Sequence, residues 1–216
     1  MKKKVLSNFK NTIFITKDML RDVSNENEES LSKSIHRWCK RGELIKLKNG
    51  LYITKETYSK YINTDGFLEL IANKLRTPSY VSLEYVLSKH GVITESVYTI
   101  TSITLKTKRV FNNLTGQYIY KSIKKSLFNS YKLEKFLSND YYIATKEKAL
   151  FDYLYFKAQT IPEDIHNLNI AEELRLNLDS FTKKDFDNLS KYGVISNNKK
   201  LISIINNIKQ YASNRV

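Results

Sequence analysis

Residues 31–53 read LSKSIHRWCKRGELIKLKNGLYI, and two hydrophobic periods meet inside them. Leu31, Ile35, Trp38 and Cys39 recur at helical spacing, and Gly42 stands where a left-handed residue would close the helix. At about 100° per residue the opposite face carries Glu29, Lys33, His36, Arg37 and Lys40, so one face is core and the other largely cationic. The period then shortens. ELIKLKNGLYIT holds two short apolar runs joined by Asn49-Gly50, a strong hairpin signal, with Lys46 and Lys48 alternating on one side of the first strand. Upstream, Ile13 to Asp22 begins with an apolar run, after which Thr16 can cap a short helix holding Met19 and Leu20 inward. A short helix, a turn, a longer helix with a basic face and a β-hairpin with lysines near its tip follow the order of a winged helix-turn-helix over residues 1–60.

Residues 61–216 are expected to form a second domain. A helix is predicted around Asp65 to Leu75, Thr77-Pro78 breaks it, and Ser82 is the expected N-cap of a helix closed by Gly91. VYTITSIT, TKRVFNN and GQYIYKSI then read as strands of an antiparallel meander, with turn chemistry at Asn112, Asn113 and Gly116. Residues 141–144 (YYIA) make a further short strand, and Thr145 caps a helix that is apolar nearly all round and hence buried. From about residue 162 three more helices follow, IHNLNIAEELRL, KKDFDNLSKY and KLISIINNIKQYA. The fold class is α+β: an N-terminal winged helix-turn-helix, then a C-terminal α/β domain with an antiparallel meander and several helices.

At 216 residues with 41% hydrophobic content, the chain can bury a real core and lies far from the composition of disorder. The net charge of +14 points toward a polyanionic partner, although 29 of the 36 cations are lysine in a chain rich in Asn, Ile and Tyr, a composition that A+T-rich codons also favour. Position is more telling than the total. Residues 1–60 carry 14 cations against 7 anions, residues 61–160 carry 14 against 8, and residues 161–216 carry 8 against 7. MKKKVLSNF lacks the apolar core region of a signal peptide, no stretch approaches the roughly 18 apolar residues of a membrane span, and Cys39 is the single cysteine. A cytoplasmic protein without a membrane partner is expected.

A winged helix lays its second helix in the DNA major groove while the wing touches backbone or minor groove. Lys33, Arg37 and Lys40 lie along one stripe, and the planar fork of Arg37 suits guanine O6 and N7. Lys40, Lys46 and Lys48 are expected phosphate anchors. His36 and Arg41 share the helix region, and Asn49 could enter a groove at the wing tip. Against this stands the plainer possibility that the stripe is a solvated helix face. A second basic cluster comprises Lys106, Lys108, Arg109, Lys121, Lys124 and Lys125, either as edge-strand charges that discourage aggregation or as a further nucleic-acid or acidic-partner surface. His36 and Cys39 at i, i+3 are too few to hold a metal, so no metal or cofactor is expected. No phosphate loop, His-Glu-x-x-His, Gly-x-Ser-x-Gly, Glu-x-Lys or Asp-x-Lys pattern occurs, and no enzymatic activity is expected. The rival functional class is a protein-binding module that docks another protein and has only non-specific DNA affinity.

LSKSIHRWCKRGELIKLKNGLYI, SYVSLEYVLSKHGVITESVYTITSITLKTKRVFNN and YYIATKEKALFDYLY together resemble the AbiEi-type antitoxins of bacterial abortive-infection systems, over about residues 10–157. The resemblance implies a bipartite phage-defence protein encoded beside a nucleotidyltransferase-like toxin. It implies a winged helix that represses its operon by binding inverted repeats in the promoter, and a C-terminal domain needed to counter the toxin. The recognition helix around Lys33 to Arg41 and the wing around Lys46 to Gly50 map to a defined role, and no catalytic residue is implied. Glu147-Lys148-Ala149-Leu150 matches the family pattern, yet its physical job reads as structural, with Lys148 and Asp152 at i, i+4.

Overall fold

The computed structural model describes residues 3–165 and 168–213, and His166 lies outside them. The chain is α+β, with ten α-helices and two sheets among the described residues. It divides into two compact units, residues 1–68 with 111–117, and residues 69–110 with 118–216.

In the first unit, α1 (Lys3–Ser7), β1 (Ile15–Thr16), α2 (Lys17–Ser24) and α3 (Glu28–Lys40) precede the hairpin β2 (Leu44–Lys48) and β3 (Leu51–Thr54), which α4 (Lys55–Tyr61) follows. The Thr16 side chain accepts from the Met19 N–H as a helix cap should. α3 starts three residues before Leu31, the first residue of its apolar period, because the Asn27 side chain accepts from the Ser30 N–H and captures Glu28 and Glu29 into the first turn. Beyond its last residue, Lys40, it is closed by Gly42, φ +70°, whose N–H donates to the Cys39 carbonyl while the Glu43 N–H reaches back to that of Trp38. β3 is buried along its whole length and pairs antiparallel with β1 on one side and β2 on the other. Leu31, Ile35 and Trp38 close over Phe9, Ile15, Leu20, Leu44 and Tyr52, and Cys39 sits half-buried at the margin of that core.

In the second unit a six-stranded sheet runs in the order β6-β7-β5-β4-β9-β8. Its strands are β4 (Ser79–Val81), β5 (Ile100–Thr104), β6 (Arg109–Asn113), β7 (Gly116–Ser122), β8 (Tyr131–Phe136) and β9 (Asn139–Ala144), although residues 111–117, the end of β6 and the start of β7, are grouped with the first unit. The expected antiparallel meander is overturned, for β5 pairs with β7 in parallel, Ile100 opposite Tyr118 and Thr104 opposite Ser122. The reason lies in side-chain character. Tyr118 and Tyr120 of β7 are fully buried and take the inner position, whereas β6, with Arg109 and Val110 exposed, suits the edge. The sequence pattern gives no sign of β4, β8 or α4, and Lys106 and Lys108 lie beyond the end of β5.

The helices of this unit are most of α5 (Phe67–Leu75), α6 (Leu83–Lys89), α7 (Lys146–Lys157), α8 (Ile170–Glu173), α9 (Lys183–Ser196) and α10 (Lys199–Ser213). Of the expected helix IHNLNIAEELRL only the four residues of α8 are helical among those described. Thr145 caps α7 as expected. Ser82 does not cap α6: its hydroxyl donates to Asp152 Oδ2 at 2.7 Å, because a fully buried carboxylate takes every donor in reach. Tyr80 donates to the same oxygen at 3.0 Å, Lys148 Nζ donates to Asp152 Oδ1 at 2.6 Å and to the Leu127 carbonyl at 2.9 Å, and the ammonium lies over the Phe151, Tyr80 and Tyr192 rings. Burial pushes the Lys148 ammonium down and the Asp152 carboxyl up, and their mutual attraction opposes both. The network is a satisfied core linking β4, α7 and the turn before β8.

Candidate nucleic-acid interface

α3 and the β2–β3 hairpin carry the expected site. Lys33, His36, Arg37, Lys40, Arg41, Lys46 and Asn49 are exposed, and Lys48 is half-buried. The hairpin turns through Asn49-Gly50, where Gly50 at φ +75° supplies a conformation other residues resist. Its carbonyl accepts from the Lys17 N–H at the start of α2, tying the turn to the body of the unit. The expected alternation of Lys46 and Lys48 is broken: Lys46 pairs with Tyr52 but Lys48 with Leu51, a one-residue bulge that re-aims Lys48. The Leu47 carbonyl at the bulge is met by Asn113 Nδ2 at 3.1 Å.

Between the hairpin and α3 runs a cleft of about 420 Å³ lined by Lys17, His36, Cys39, Lys46, Asn49 and Tyr52, among others. Its cations are Lys17 of α2 and Lys46 of β2, while α3 contributes His36 and Cys39. Burial pushes the Cys39 thiol up, and nearby Lys46 pulls it the other way, so the neutral thiol behaves as a packing group.

The charge on α3 is graded along the helix. At its N-terminal end Glu28 accepts from Lys17 and, at 3.0 Å, from Arg21, which also holds Asp18 at 2.8 Å. These hydrogen bonds, that of Lys17 foremost, hold the Glu28 carboxyl below the usual carboxylate range. Lys33 is paired with Glu29 at 2.6 Å, one turn back on the same face. Among the described residues Lys40, Arg41 and Lys46 are in no ion pair, so the unneutralised charge lies at the C-terminal end of α3 and on the hairpin. Arg37 stands between, donating from Nη2 to Ser34 Oγ at 3.1 Å.

The second cluster is arranged differently. Thr104 opposite Ser122 brings the ends of β5 and β7 together, so Lys106, Lys124 and Lys125 leave the sheet at one end. Lys121 is held by Glu84 at 3.6 Å and lies over the Phe156 ring, which withdraws it from the group. Lys124 shares a polar cleft of about 610 Å³ with Lys199 and Lys200, two cations that a near-neutral tail composition concealed. Arg109 opens the edge strand β6, and Lys108 is exposed just before it.

Among the described residues no group of three or more His, Cys, Asp and Glu is placed to hold a metal ion, and no helix is long and apolar enough to cross a membrane. Sequence reading missed Ser34, which accepts from Arg37, and Glu26, which accepts from Ser34. The one signal was a serine set among Leu31, Ile35 and Trp38 on the apolar stripe. No protein-family model matches the chain, and no curated protein matches it.

Proposed function

We propose that the first unit is a winged helix-turn-helix that binds operator DNA, and that the chain is a cytoplasmic transcriptional autorepressor and antitoxin without enzymatic activity. In this reading α3 enters the major groove, Arg37 reads a base edge, and Lys40, Arg41, Lys46 and Lys48 meet phosphates while Asn49 probes a groove. The observation that carries it is the set of exposed cations on α3 and the hairpin that are in no ion pair among the described residues, Lys40 and Arg41 at the end of the helix and Lys46 on β2. Resemblance to AbiEi-type antitoxins supplies the remainder: inverted repeats in the promoter as the operator, and a nucleotidyltransferase-like toxin as the activity opposed by the second unit.

The test is a fluorescence-anisotropy titration of the full chain against a duplex from its own upstream region and a scrambled duplex, over a range of salt. Preference for the upstream duplex, with a negative slope of log affinity on log salt, supports the reading. Equal binding to both duplexes that vanishes at moderate salt favours the protein-docking module instead. Rescue of growth when the chain is co-expressed with a neighbouring nucleotidyltransferase gene tests the antitoxin part separately.

A further inference from the structure

Arg37 is not a free guanidinium on a helix face. Its Nη2 donates to Ser34 Oγ at 3.1 Å, and Ser34, 1% exposed, donates in turn to Glu26 Oε1 at 3.1 Å. The order of donors matters. A serine hydroxyl has one proton and two lone pairs, and in a helix it ordinarily turns that proton to the carbonyl four residues back. Here the Glu26 carboxylate takes the proton, which leaves the lone pairs of Ser34 facing the arginine. Glu26 itself sits just before the α3 cap residue Asn27, half-buried, and its second oxygen is buried without a hydrogen-bond partner among the described residues. That carboxylate is therefore aimed at the helix instead of at solvent.

We infer that Glu26 and Ser34 are positioning residues for Arg37: the carboxylate sets the hydroxyl, and the hydroxyl holds one edge of the guanidinium so that its remaining N–H groups present a fixed pair of donors to a guanine edge. This rests on the DNA-binding reading above and says how its base-reading side chain is ordered before contact. An arginine has five donors, and one bond to Ser34 leaves enough for the two-point contact with O6 and N7. A long side chain that is already oriented loses less rotamer freedom on binding, so the gain appears in discrimination. The relay supplies no cation, so it does not alter the number of phosphates met.

The experiment compares upstream and scrambled duplexes for the full-length wild type, Ser34→Ala, Glu26→Ala and Arg37→Ala, and for each of the first two changes combined with Arg37→Ala. Both relay variants are expected to lower the upstream-to-scrambled affinity ratio about five-fold with the salt slope unchanged. Neither is expected to lower it further once Arg37 is gone. Thermal melting controls for folding, and if Ser34→Ala does not fold, the half-buried Glu26→Ala decides alone. A wild-type ratio kept by the relay variants, or an equal loss in the Arg37→Ala background, overturns the inference while leaving the DNA-binding reading intact. A wild type with no preference, or an Arg37→Ala variant that keeps the full ratio, instead overturns the parent reading.

Discussion

Replacing Lys148 by alanine should be among the most destabilising single changes in this chain. The ammonium is wholly buried, and its removal leaves the Asp152 carboxylate with only the Tyr80 and Ser82 hydroxyls as donors and the Leu127 carbonyl without its 2.9 Å partner. Breaking a buried ion pair by removing one member costs about 3–5 kcal/mol. An orphaned buried carbonyl adds about 1–3 kcal/mol, with partial relief as Asp152 takes up a proton. The net loss works out at about 4 kcal/mol, which in urea at roughly 2 kcal/mol per molar moves the midpoint down by about 2 M. The compensating pair Lys148→Met with Asp152→Asn removes both charges and keeps an acceptor for the hydroxyls, so it should lose less than about 2 kcal/mol. Far-UV circular dichroism in urea measures both. A Lys148→Ala loss under about 1 kcal/mol, or a double variant worse than Lys148→Ala, would refute the account of this network.

Three further outcomes follow from the same geometry. Glu29→Ala releases Lys33 from its 2.6 Å partner, so affinity for any duplex should rise and the salt slope should steepen by about one unit, read by anisotropy across a salt series. Trp38→Ala empties the centre of the first-unit core and should cost about 3–5 kcal/mol in a urea titration. Asp185 completes the cap of α9. Burial alone would raise its carboxyl, but hydrogen bonds from the Thr182 N–H and hydroxyl and from Lys146 outweigh it and hold it below its usual value. Its contribution is therefore present above the unfolded carboxylate pKa and lost as pH falls through the lower folded one. Asp185→Asn should flatten that acid limb in thermal melts taken below about pH 4.

What could be read from residues was local. Thr16, Thr145, Gly42 and Asn49-Gly50 announce caps and a turn because their chemistry acts within a few residues, and Leu31, Ile35 and Trp38 announce a buried stripe because helical spacing alone puts them together. Strand order was not legible, since nothing in TKRVFNN or GQYIYKSI says which of two adjacent strands takes the inside. The burial of Tyr118 and Tyr120 decides that only once the sheet exists. β8 was missed because YKLEKF carries edge-strand charges, and β4 because three residues carry no period. Glu29 and Lys33 could be paired from their spacing. The chain from Glu26 through Ser34 to Arg37 could not, since it joins a turn residue to a helix residue eight positions on.

The most direct test of the central claim is the affinity of the Lys33→Ala, Arg37→Ala double variant for the upstream duplex. Both side chains are exposed, so the melting temperature should be unchanged. The affinity should fall at least about ten-fold, with discrimination against scrambled DNA largely lost. A double variant that binds the upstream duplex as tightly and as selectively as the wild type would contradict the placement of DNA recognition on α3.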